Sequence, residues 1–85
     1  MRVVAELPHP DCKITIFSMN GKFIIKLEKG IFEQIYKISE LDIPDGVNGI
    51  FQLTDAEFIK SASKRFNEMR LDFRDAFNRY DEKDT

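Results

Sequence analysis

The side chains best suited to chemistry in this 85-residue sequence stand together at His9, Asp11 and Cys12, in a segment stiffened by Pro8 and Pro10. Imidazole, carboxylate and thiolate are all zinc ligands, and a cysteine close to a histidine forms a nucleophilic pair when the imidazole lowers the thiol pKa. Each chemistry needs more than closeness in sequence. A zinc site here lacks a fourth ligand unless a second chain supplies one. The alternation that follows turns Cys12 inward with Ile14 and Ile16, where a free cysteine acts as a small hydrophobe. The structural reading is therefore preferred, with Asp11 in a turn and His9 in a loop. No catalytic residue and no cofactor is assigned, and His9, Asp11 and Cys12 are kept as the metal-ligand candidates.

The rest of the chain offers less. It has no Gly-rich phosphate loop, no His-Glu-x-x-His, no nucleophile elbow and no EF-hand spacing. Glu28 and Glu33 are a conceivable carboxylate pair, but the expected strand register sets a lysine opposite each, so structural pairing is the simpler account. On these grounds the chain reads as a non-enzyme.

Those residues must be held by a small α+β domain. Residues 12–18, Cys-Lys-Ile-Thr-Ile-Phe-Ser, are an alternating β-branched and aromatic run that ends just before Asn20-Gly21, a strong signal for a two-residue type I′ hairpin loop. That loop sets Ile16 against Ile25, Ile14 against Leu27, Ser18 against Phe23 and Lys13 against Glu28. A second loop, read at Lys29-Gly30, sets Leu27 against Phe32, Phe23 against Tyr36, Ile24 against Ile35 and Lys26 against Glu33. One face then gathers Cys12, Ile14, Ile16, Phe23, Ile25, Leu27, Phe32, Tyr36 and Ile38, with Gln34 its polar intruder. The other face carries Phe17, Ile24 and Ile35 in a row. The expectation is a three-stranded antiparallel meander over 12–38, with residues 2–7 as a fourth, edge strand or as a cover for the outer row.

Residues 39–53 read as a packed connection with one short helical turn. A long amphipathic helix follows over 54–81, with Thr54 as N-cap, Glu57 completing a capping box and Leu53 stapled to Phe58. A disordered tail is expected at 82–85. Phe58, Ile59, Ala62, Phe66, Met69, Phe73, Ala76, Phe77 and Tyr80 share roughly 100° of the helical wheel, a core-facing stripe. Lys64 with Glu68 and Asp75 with Arg79 are spaced for ion pairs on the solvated side.

Composition narrows the function classes. With 42% hydrophobic and 33% charged residues the chain is globular. A formal charge of −2, with acids interleaved among the bases of the helix, disfavours nucleic acid, whose binders show a basic footprint. One cysteine excludes an intrachain disulfide. The start lacks the apolar run of a secretory signal, and no stretch approaches the roughly 20 apolar residues of a membrane span, so the expected location is the cytoplasm, with no membrane association.

The segments Ala5 to Phe17, Asn20 to Lys26 and Tyr36 to Glu40 together resemble a family of small uncharacterised bacterial proteins. The resemblance covers roughly the first half of the chain and implies a bacterial cytoplasmic protein. No activity, ligand or partner comes with it.

Size and length point to association. A domain this small buries only roughly 60 to 65% of its unfolded surface, and a helix of this length, at 1.5 Å per residue, outruns strands of about seven residues. Phe73, Ala76, Phe77 and Tyr80 are left with too little sheet beneath them. The expected function is a structural or protein–protein interaction module, a homodimer or one bound to an unidentified protein partner. Phe73, Ala76, Phe77 and Tyr80 form the leading surface, and Phe17, Ile24 and Ile35 the alternative one. The competing reading is a small-ligand or metal-binding protein that uses the His9 loop.

Overall fold

The structure is a computed structural model and describes residues 1–83. Four strands, β1 (Arg2–Leu7), β2 (Lys13–Met19), β3 (Lys22–Lys29) and β4 (Phe32–Ser39), form one antiparallel meander in the order β1-β2-β3-β4. A 3₁₀ turn at Glu40–Asp42 and helix α1 (Val47–Leu53) lead into helix α2 (Ala56–Lys83). Residues 2–7 are thus a fourth, edge strand.

The β2–β3 loop is the expected one. Asn20 and Gly21 have φ of 50° and 75°, as a type I′ turn requires, and Ile16 pairs with Ile25 and Ile14 with Leu27. The next hairpin corrects the sequence reading by two residues. Lys29 pairs with Phe32, so the loop is Gly30-Ile31 rather than Lys29-Gly30. A primed turn needs positive φ at its first central position; Gly30 adopts φ 61° there, a conformation that strains a lysine. Leu27 therefore faces Gln34, Phe23 faces Ile38 and Ile24 faces Lys37. A slip of two preserves side-chain parity, and the core face is unchanged. Two local consequences follow. Ile35 lies opposite Lys26, so Phe17, Ile24 and Ile35 form a staggered patch rather than a straight row. Glu33 lies opposite Glu28 rather than a lysine; Lys26 Nζ, 3.8 Å from Glu28 and 3.6 Å from Glu33, offsets the repulsion.

A bulge between Val3 and Ala5 shifts the register of β1. Ala5 and Leu7 pair with the inward Ile16 and Ile14, while Val3 pairs with the outward Phe17. The extra residue lets Val4, Ala5 and Leu7 all pack on the core.

That core lies between the inner sheet face and the helices. Ile14, Ile16, Ile25 and Leu27 meet Ile50 of α1 and Ile59, Ala62 and Phe66 of α2, each large side chain contributing about 1.5–3 kcal/mol of burial. Gln34, buried among them, donates from Nε2 to the Ala62 carbonyl at 2.9 Å and accepts from the Tyr36 hydroxyl at 2.7 Å. The polar intruder is a clamp between β4 and α2.

The connection also departs from expectation. Asn48-Gly49 looks like a turn and lies inside α1; a Cβ on Gly49 would come within 2.6 Å of Ile43 Cγ1, so the glycine admits Ile43 against the helix. Thr54 is not the cap of the long helix. Its hydroxyl donates back to the Ile50 carbonyl at 2.8 Å, closing α1. Asp55 Oδ1 accepts from the Phe58 amide at 2.8 Å, so Asp55 caps α2 one residue later and Glu57 belongs to its first turn. At the other end α2 continues through Lys83, past the expected stop at 81. Of the tail expected at 82–85, residues 84 and 85 lie outside the described residues.

The molecule measures 55 × 26 × 19 Å with a radius of gyration of 16.0 Å, against about 12 Å for a compact chain of this length. The excess is α2, whose 28 residues span about 42 Å.

Candidate functional site

The His9 segment joins β1 to β2 beside an open depression of about 590 Å³, whose rim includes Lys13 and Lys29. His9 Nδ1 accepts from the Asp11 amide at 3.1 Å and lies 3.9 Å from Asp11 Oδ2. The lone pair a metal would use at Nδ1 is thereby engaged. Cys12 is only 7% exposed and belongs to the core cluster. Burial, reinforced by the Asp11 carboxylate and partly offset by Lys29, pushes its thiol up from the ordinary range. Among the described residues no hydrogen bond joins His9 to Cys12 and no three His, Cys, Asp or Glu side chains group to hold a metal ion. His9 and Asp11 come together; Cys12 borders the same depression but is packed into the core cluster and is not joined to His9.

The distal part of α2 is built differently. Ile59, Ala62 and Phe66 are buried, but farther along the same stripe Phe73, Phe77 and Tyr80 are 49%, 54% and 60% exposed. Their rings make edge-to-face contacts in series. Phe32 of β4 meets Phe73 at 6.1 Å, Phe73 meets Phe77 at 6.1 Å and Phe77 meets Tyr80 at 6.0 Å. The ladder leaves the sheet at Phe32 and continues without it. Ile31, at the tip of the β3–β4 hairpin and 77% exposed, lines with Phe32, Met69, Asp72, Phe73 and Ala76 an open corner of about 640 Å³. Ile31 escaped the sequence reading because the loop was set one residue early.

The outer sheet face is the second apolar surface. Phe17, Ile24 and Ile35 line a depression of about 290 Å³ with Met1, Met19, Lys26 and Lys37. Val3, placed beside Phe17 by the bulge, extends it. No helix among the described residues is long and apolar enough to cross a membrane.

The ion pairs on α2 also differ from expectation. Arg74 binds the neighbouring Asp75, with Nη2 3.1 Å from Oδ1, so Asp75 is not paired with Arg79. Lys64 and Glu68 are likewise unbridged among the described residues.

No family model, curated protein or solved structure matches the chain.

Proposed function

We propose that this chain is a protein–protein interaction module that self-associates as a homodimer through the distal part of α2. The observation that carries the reading is the aromatic ladder from Phe73 to Tyr80, each ring about half in water on a helix that has left its sheet. Two phenylalanines and a tyrosine in series are a costly surface for a monomer and an ordinary interface core. The reading assigns no reaction to the chain. A cytoplasmic location belongs to it, supported by a single buried free thiol.

Sedimentation equilibrium tests it. The wild type is expected to be dimeric at micromolar concentration and Phe73→Glu/Phe77→Glu monomeric with unchanged helix content. A wild type that remains monomeric at several hundred micromolar overturns the reading.

A further inference from the structure

The distal helix carries charge as well as apolar surface, and the charge has a direction. Asp72 borders the corner beside Phe73 and Ala76. Arg79 lies seven residues on, two turns along the same flank of the stripe. About 10 Å of helix separates them, too far for a bridge, and neither makes an ion pair or hydrogen bond among the described residues. A helix with an acid and a base so placed is complementary to an inverted copy of itself. When two such helices lie antiparallel about a two-fold axis, residues equidistant from the axis on one flank face each other. Asp72 then meets Arg79 of the second copy, and Arg79 meets Asp72, if the axis passes midway, between Asp75 and Ala76.

That position has an independent consequence for the apolar surface. It sets the Tyr80 of one copy level with residue 71 of the other, beside Met69 and Phe73, where the corner walled by Ile31 and Phe32 is open. Ala76, next to the axis, offers little bulk where the helices approach most closely. A parallel pair has neither match and sets Arg65 against Arg70 across the seam. Resting on the homodimer reading above, we propose that the occupant of this surface is a second copy of the chain with its α2 antiparallel. Asp72 of each copy pairs with Arg79 of the other, and each Phe77–Tyr80 tip is seated in the other's corner.

Charge reversal across chains tests it, read by sedimentation equilibrium. Asp72→Arg and Arg79→Asp alone each set like charges face to face twice, and each is expected to weaken the dimer at least about tenfold. An equimolar mixture of the two variants restores opposite charges at both contacts. It is expected to form a heterodimer within about threefold of wild-type affinity, a rescue that a purely intrachain role for either residue does not produce. Single variants that dimerise like wild type, or a mixture that stays weak, overturn the antiparallel pairing. If the wild type dimerises, ignores both reversals and is instead broken by Ile35→Glu, a change at the half-exposed residue of the outer face, that face is the interface; the homodimer reading then stands and this one falls. A wild type that does not dimerise removes both.

Discussion

The two halves of α2 have the same pattern and opposite surroundings. Phe66 and Phe77 lie on one stripe, yet Phe66 is 2% exposed in the core and Phe77 is 54% exposed. The difference comes from outside the helix. Strands of eight residues reach about 27 Å, so the sheet ends at Phe32 beneath Phe73 while the helix continues. An amphipathic stripe states which side must be covered and leaves open what covers it.

The largest effect that separates the halves is on stability. Phe66→Ala is expected to cost about 3–5 kcal/mol, since it opens a cavity against the sheet. Phe77→Ala should cost under about 1 kcal/mol, because a half-exposed ring leaves no cavity. Urea unfolding at a protein concentration where any dimer has dissociated is the measurement. Comparable losses would mean that the distal half belongs to the monomer's own core.

The sequence was informative wherever one residue type meets one backbone demand. Asn20-Gly21 defines both the loop and the β2–β3 register because two successive positive φ values leave few alternatives. Gly30 marks the second hairpin and, because a primed turn needs positive φ at its first central position, also favours the loop Gly30-Ile31 over Lys29-Gly30, a demand the reading at Lys29-Gly30 overlooked. The core face survived that error because strand parity repeats every two residues. The bulge at Val3 to Ala5 had no such signal, as all three residues suit either face of a strand. Gly49 resembled a turn residue because the packing of Ile43 upon it is a tertiary fact. At the site, the exposed aromatics followed from two lengths. The corner at Ile31 depends on loop register and the partner of Asp75 on side-chain placement, both of which spacing alone misassigned, and spacing did not single out Asp72.

A smaller effect tests how the proximal half is anchored. Asp55→Ala should cost about 1 kcal/mol by removing the acceptor for the Phe58 amide. Glu57→Ala should cost only about 0.3 kcal/mol, the value of a charge near a helix N-terminus. Thermal melting of the two variants decides between the caps: if Glu57→Ala is the more damaging, the capping box begins at Thr54 after all. Either loss should be the same with Phe77→Ala in the background, because the distal ladder touches neither residue.

At neutral pH the smallest effect is that of the Cys12 thiol, which emerges only as the pH rises and also belongs to the proximal half alone. Cys12 packs in the cluster that contains Ile59, Ala62 and Phe66, and burial raises its thiol above the ordinary range. Below that range the thiol is protonated in both folded and unfolded chains, and its contribution to stability is constant. As the pH rises through the ordinary thiol range, near 8.5, the unfolded chain ionises first while the folded chain holds its proton. Stability therefore falls with rising pH until the folded thiol also ionises, with a slope from this group of at most about 1.4 kcal/mol per pH unit. Urea midpoints from pH 7 to pH 10 should show this decline in the wild type, and Cys12→Ala should flatten it. The same decline should persist in Phe73→Glu/Phe77→Glu, because Cys12 reports on the sheet-covered half. If the distal substitutions changed the slope, the two halves of α2 would be coupled through the core and could not be treated as one buried anchor and one free docking surface.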